Sequence, residues 1–278
     1  ASHHPELLSP ERQRIIQIDV DPRNAGWTVP VELGLVGDAR AILDQVLVVA
    51  RTLVSEKDEP GREQKILELT ERKQELHFFD DSPGLQSDQD PLLPQRLVRL
   101  LQENVDPLAI ITLDAGNNRV WMHHFYKSQR AATFLNPGGI AGMGWSVPAA
   151  VAAKLLRPGR PVMAVTGDGG FVMTSNAIST AVQYGLPVVI VVLNDGGLGM
   201  VRENQRPSVI SSEFAETNHA RICEAYGGWG VQVDDARDVP AAIHDAFAAG
   251  QPAVVDVKVD QFEVLGKFRA GISEFARK

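Results

Sequence analysis

Two short acidic turns carry the residues with the clearest chemistry in this chain. They are Gly167-Asp168-Gly169-Gly170 and Asn194-Asp195-Gly196-Gly197, the second running on through Leu198, Gly199 and Met200. A helix and a buried strand separate them, so both turns fall at one edge of a parallel sheet, where α/β proteins bind ligands. Two acidic side chains meeting there suit a hard cation such as Mg²⁺, which in turn holds phosphate oxygens. Alone, Gly-Asp-Gly is an ordinary strand-to-helix turn. A second such turn one strand–helix–strand unit later makes the pair a diphosphate site.

The elements that must position these turns are legible in the hydrophobic pattern. Pro161–Thr166 and Val188–Leu193 are short, continuous apolar runs rich in β-branched residues and bounded by turn formers. Continuity without alternation means burial on both faces, as in a parallel sheet covered by helices. Thr174 through Tyr184 carries Ile178, Ala181 and Val182 at helical spacing and stops at Gly185 and Pro187. From Pro91 the alternation is regular: a helix over Gln95–Asn104, a strand over Leu108–Leu113, the two turns, then strands near Gly230–Val233 and Ala253–Val259. The expected fold is α/β, a doubly wound parallel sheet, preceded by the tail of a second α/β domain.

Further upstream stand Gly116-Asn117-Asn118-Arg119-Val120-Trp121-Met122-His123-His124-Phe125-Tyr126-Lys127 and then Gly138-Gly139-Ile140-Ala141-Gly142-Met143-Gly144-Trp145-Ser146-Val147-Pro148. With Gly-Asp-Gly and the twenty-four residues before Asn194-Asp195, their order and spacing resemble the acetolactate synthase large subunits, among the thiamine-diphosphate-dependent 2-oxoacid decarboxylases, oxidases and carboligases. The resemblance covers about residues 12–260. It implies thiamine diphosphate and Mg²⁺ as cofactors, a pyruvate-like 2-oxoacid as substrate, and transfer of the acyl unit left after decarboxylation. It also implies a role for each matching residue. Asp168, Asp195 and the Gly197 carbonyl ligate Mg²⁺, with Asp195 standing where most relatives have asparagine. Gly167, Gly169, Gly170, Leu198, Gly199 and Met200 surround the diphosphate, and Gly116, Asn117 and Asn118 donate to it. Met143 wedges under the cofactor, and the Ala141 carbonyl accepts from its amino group.

The family takes a catalytic glutamate from a separate N-terminal domain of a neighbouring subunit. Glu203, Glu213 and the glutamates of 56–75 do not match its context, so the resemblance implies half a site, completed in a homo- or hetero-oligomer. Asp19, Val20, Asn24, Gly37, Asp38 and Ala39 match positions lining an adenine-nucleotide (FAD) groove, most of which lies in sequence not present here. Asn204 replaces a tryptophan that shapes substrate choice. His123 and His124 invite an acid–base reading, but adjacent helix positions diverge, so at most one faces the cofactor. Arg202 and Gln205 are further candidates for substrate contact.

Composition narrows the alternatives. At 278 residues and 44% hydrophobic the chain has material for a sizeable core, and its net charge of −8 argues against a nucleic-acid or anionic-membrane surface. No apolar run approaches the about 18 residues of a membrane span, which points to a cytoplasmic enzyme. Cys223 is alone, within a helix expected over Phe214–Tyr226 that Glu213 opens, and reads as a core residue. His3 and His4 read as a solvated terminus. The expected division is 1–54 (a strand over Arg14–Val20 and a helix over Ala39–Leu53), a charged linker over 55–90 with a helix near Glu63–Leu76 and a loop at Asp80–Gly84, and a cofactor domain over 91–278. A nucleotide-binding regulatory subunit remains an alternative; a Rossmann dehydrogenase is disfavoured, since no G-x-G-x-x-G follows a strand.

Overall fold

A computed structural model describes residues 8–53, 59–75 and 83–263. His3, His4, Leu76 and Asp80–Ser82 lie outside the described residues. The described chain falls into two compact units, one within 8–75 and one within 83–263. The boundary lies inside the expected 55–90 linker, whose helix groups with the first unit.

In the first unit β1 (Ile16–Asp19) pairs in parallel with β2 (Leu33–Val36), followed by α1 (Ala39–Leu53) and α2 (Glu59–Glu75). The residues matched to an adenine-nucleotide groove have local duties here. Asp19 Oδ1 accepts from the Asp21 N–H at 2.9 Å and Asn24 Nδ2 at 3.2 Å, and Asp38 Oδ1 accepts from the Ala41 N–H in the first turn of α1.

The second unit is a six-stranded, all-parallel sheet. Its elements run α3 (Pro94–Asn104), β3 (Ile110–Leu113), α4 (Asn117–Phe125), β4 (Phe134–Leu135), α5 (Ser146–Leu156), β5 (Val162–Gly167), α6 (Asp168–Thr174), α7 (Ala177–Gln183), β6 (Val189–Asn194), α8 (Gly199–Gln205), α9 (His219–Ala225), β7 (Trp229–Val233), α10 (Val239–Ala248) and β8 (Ala253–Lys258). Strand order is β4-β3-β5-β6-β8-β7. The chain leaves β3 toward β4 on one side and returns to β5 on the other, so the C-terminal crevice between β3 and β5 is a topological switch point.

The continuous apolar runs are explained by a core on each face. Ile111, Leu113, Met163, Val165, Val191 and Val255 pack with α3, α4 and α10, while Ile110, Val162, Ala164, Ile190, Val192 and Val254 pack with α5, α7 and α9. Successive strand residues point to opposite faces, and both are covered. The doubly wound α/β fold is as expected, with two local corrections. The helix expected over 174–184 is α7, beginning at Ala177, and a separate helix not expected from the sequence, α6, starts at Asp168 itself and ends before a break at Ser175-Asn176. The helix expected from Glu213 starts only at His219, capped by the Asn218 side chain, which accepts from the Arg221 N–H. Residues 212–214 pair instead with the second acidic turn, so Glu213 lies in an antiparallel bridge to Gly197.

Helix α9 meets β7 so closely that a Cβ at Gly230 would overlap the backbone carbonyl of Ala220. Neither backbone can yield cheaply, so Gly230→Ala should destabilise the second unit by about 1–3 kcal/mol, the usual cost of overpacking. Urea unfolding checks this; an unchanged midpoint would mean that the two elements slide freely.

Candidate active site

Strand register builds the site. Gly167 pairs with Leu193, so Asp168 and the Asn194-Asp195 turn leave the sheet side by side. Asp168 is 2% exposed. Its Oδ2 accepts from the Gly197 N–H at 2.8 Å, while its Oδ1 is buried with no hydrogen-bond partner. Burial, then the neighbouring Asp195 carboxylate, push Asp168 up to about 7, against a downward pull from the Gly197 N–H and His219. Burial also raises Asp195, partly offset by Arg202. Arg202 is 3% exposed, and its Nη2 lies 3.0 Å from Asp195 Oδ2 and 3.1 Å from the Asp195 carbonyl.

Around the carboxylates the backbone comes close because side chains are missing. A Cβ at Gly169 would meet Leu198 Cδ2 at 2.5 Å and Met143 Cε at 2.8 Å, so Met143 and Leu198 converge over that glycine. A Cβ at Gly199 would overlap Asp195 Oδ2 and stand 3.3 Å from Asn117 Nδ2, which brings the turn after β3 against the turn after β6. Segment 212–214 forms a wall behind them: the Leu198 N–H donates to the Ser212 carbonyl at 2.8 Å and the Phe214 N–H to the Gly196 carbonyl at 2.9 Å.

One pocket gathers Gly116, Asn117, Asn118, Met143, Gly167, Asp168, Gly169, Gly170, Asp195, Gly197, Leu198, Gly199 and Met200. Of the expected site residues only Ala141 stands off its wall, in a turn at φ 53° closed by its own N–H to the Gly138 carbonyl. Asn118 lines the pocket, but its Nδ2 donates to the carbonyls of Asp114 and Val165, tying β3 to β5 rather than offering N–H groups to a ligand.

Neither histidine faces the pocket. Helix α4 presents Asn117, Asn118 and Trp121 there, whereas the His123 ring packs on Phe134 and the His124 ring on Phe125. Burial lowers the pKa of both, and Arg119 adds to the effect at His123. Arg202 is committed to Asp195, and Gln205 to Ile210 and Ser212, so neither forms part of the wall. Sequence reasoning missed Pro94, Trp121, Glu203, Arg206, Gln261 and Glu263, all of which border the pocket. Two glutamates, Glu203 and Glu263, thus stand on the pocket wall. Trp121 and Glu203 had a readable signal, lying one helical turn after Asn117 and Gly199; Pro94, Gln261 and Glu263 are brought in from segments distant in sequence that no local pattern records.

The family described as thiamine pyrophosphate enzyme, C-terminal TPP binding domain, matches residues 114–257, the stretch holding all three turns. The chain belongs to the thiamine-diphosphate-dependent enzymes. It is 32% identical over 264 residues to the acetolactate synthase large subunit of Corynebacterium glutamicum, covering 89% of this chain and 40% of that protein. It is 30% identical over 260 residues to the acetolactate synthase isozyme 3 large subunit of Escherichia coli, covering 90% and 44%. The chain thus spans less than half the length of these relatives. Among solved structures, the thiamine diphosphate-dependent 4-hydroxybenzoylformate decarboxylase of Rhodococcus jostii matches with a TM-score of 0.59 and 27% identity, over 63% of this chain and 34% of that one.

The raised Asp168 pKa has a consequence for stability. The folded chain keeps a proton that the unfolded chain releases near the ordinary carboxyl value of about 3.9. Stability from the neutral side chain is whole below that value and is lost as pH rises through about 7. In metal-free buffer, stability should therefore fall between about pH 4.5 and about pH 7.5 by on the order of a few kcal/mol more than in Asp168→Asn. Urea titrations of both proteins test this; parallel pH profiles would exclude a buried, proton-holding Asp168.

Proposed function

We propose that this chain is the cofactor-anchoring part of a thiamine-diphosphate- and Mg²⁺-dependent enzyme that decarboxylates a pyruvate-like 2-oxoacid and transfers the acyl unit, in the manner of an acetolactate synthase. The observation that carries this is Asp168: a buried carboxylate with one oxygen unpartnered, pressed against a second carboxylate within a cradle of glycines. Such an arrangement is costly without a cation. Among the described residues no cluster of three or more His, Cys, Asp or Glu could hold a metal alone, which suits an ion that takes its remaining oxygens from a diphosphate.

On this reading Asp168, Asp195 and the Gly197 carbonyl hold Mg²⁺. The backbone N–H groups at Gly169 and Gly170, in the first turn of α6, face the diphosphate, and Asn117 closes the cradle from the first turn. When bound, thiamine diphosphate supplies a nucleophilic thiazolium carbon and an electron sink for the 2-oxoacid. Met143 offers an apolar support, and Trp121, Leu198 and Met200 exclude water from the same pocket. Residues 91–278 form the cofactor domain, 1–54 contribute to a neighbouring α/β domain, and 55–90 connect them. We leave FAD out, because Asp19 and Asp38 are engaged in their own turns. Among the described residues no helix is long and apolar enough to cross a membrane. A cytoplasmic oligomer is part of the reading.

Cofactor binding tests the metal assignment. Asp168→Ala should abolish Mg²⁺-dependent binding of thiamine diphosphate in calorimetry while the circular dichroism of the fold persists. Asp195→Asn should bind nearly as the parent does, since an amide oxygen still coordinates. Undiminished affinity in Asp168→Ala would sink the assignment.

The glutamate that activates the cofactor is proposed to come from a further domain, within an oligomer. A second reading rests on Glu203, which lies on the pocket wall and could take that part itself. Pyruvate consumption by the 278-residue chain with thiamine diphosphate and Mg²⁺ separates the two. The first reading expects a rate lower by about 10²–10⁴-fold than with the N-terminal domain of a relative added. Full activity of the chain alone, abolished in Glu203→Gln, would establish the second.

A further inference from the structure

One buried carboxylate outside the pocket wall touches the segments that carry it. Asp114 follows β3 and is fully buried. Its Oδ1 accepts from the backbone N–H groups of Ala115 at 2.7 Å and Gly144 at 2.8 Å. Its Oδ2 accepts from the Ser146 N–H at 3.2 Å and the Ser146 hydroxyl at 3.1 Å, with Thr166 Oγ1 at 3.3 Å. Ala115 opens the first cofactor turn, Gly144 and Ser146 lie one and three residues after Met143, and Thr166 precedes Gly167. On α6, a Cβ at Gly170 would come within 2.9 Å of the same carboxylate.

The turn bearing Met143 depends on these bonds. Residues 136–145 belong to no helix or strand, so their backbone N–H groups have no ladder and must find partners elsewhere. Gly144 adopts φ +80°, and a Cβ there would stand 2.7 Å from Thr174 Cγ2, so the turn is wedged between Asp114 and α6. The Ser146 carbonyl is held as well, accepting from Thr112 Oγ1 at 2.9 Å on β3. A carboxylate offers its acceptors in a fixed fork and binds N–H groups about twice as strongly as a neutral acceptor does.

We propose that Asp114 is a positioning residue of this site. It locks the Met143 turn to the edge of β3 and β5 and so sets the height at which the Met143 side chain stands over Gly169. The inference rests on the reading of the pocket as a thiamine-diphosphate site with Met143 as its apolar support. Asp114 shapes the cofactor's seat, while Asp168 and Asp195 anchor its diphosphate.

Amide hydrogen exchange on the 278-residue chain, read by NMR, tests it. In the parent the Gly144 and Ser146 amides should be protected although they lie at a turn; unprotected amides there would overturn the proposal without any variant. In Asp114→Asn the new amide group faces N–H donors. Exchange at Gly144 or Ser146 should rise by about 10- to 100-fold, the worth of one hydrogen bond to a charged acceptor. Amides of β6 should keep their parental rates, and calorimetric affinity for thiamine diphosphate with Mg²⁺ should be nearly unchanged. Uniform acceleration across β5 and β6 together with lost affinity would make Asp114 a general stabiliser of the fold, overturning the specific role. Unchanged exchange at both positions would overturn it outright. Should the parent fail to bind thiamine diphosphate, the functional reading falls, a result distinct from any of these.

Discussion

Everything at this site follows from two carboxylates buried side by side at the end of a parallel sheet. The pairing of Gly167 with Leu193 brings Asp168 against the turn holding Asp195. In a low-dielectric setting that arrangement is unfavourable unless charge is removed or balanced. The protein alone does so incompletely: Arg202 balances Asp195, the Gly197 N–H serves one oxygen of Asp168, and the other oxygen has no partner. A cation would complete the arrangement, and the pocket beside the two carboxylates has space for one with its ligand, while the surrounding glycines let the turns that wall it pack closely.

Asp114 makes the contrast instructive. It too is a buried carboxylate, two residues before Gly116 and directly after the neighbouring strand β3, yet both its oxygens are fully engaged by backbone and hydroxyl donors. A carboxylate whose acceptors are all used internally holds structure together. One left with a buried oxygen that lacks a donor, beside a second carboxylate, calls for a cation. Two hydrogen-bond networks thus lie within one sheet edge; on the proposed reading one shapes the cofactor's seat and the other anchors its charge.

The wall formed by residues 212–214 ties a third segment to the same constraint. Ser212 and Phe214 exchange backbone hydrogen bonds with Leu198 and Gly196, and Gln205 braces this wall through Ser212 Oγ and the Ile210 N–H. A polar residue that local sequence suggested for substrate contact is therefore spent on holding the backbone that confines Asp195.

The strands, the two acidic turns and their shared edge could be read from the chain alone. Continuous runs of β-branched residues admit burial on both faces, and Gly-Asp-Gly after such a run ends a strand at the ligand-binding edge. Family resemblance then assigned roles to residues already singled out by position. Tertiary structure decided which side chains those elements present. His123 and His124 pack on aromatic rings instead of the pocket, Arg202 is buried against Asp195, and Glu203 and Glu263 come to the wall. These outcomes depend on partners far away in sequence, such as Gly144 for Asp114 or Asp256 for Asn194. Local periodicity sets the backbone; the direction in which a polar side chain is useful depends on where its partner has been folded to.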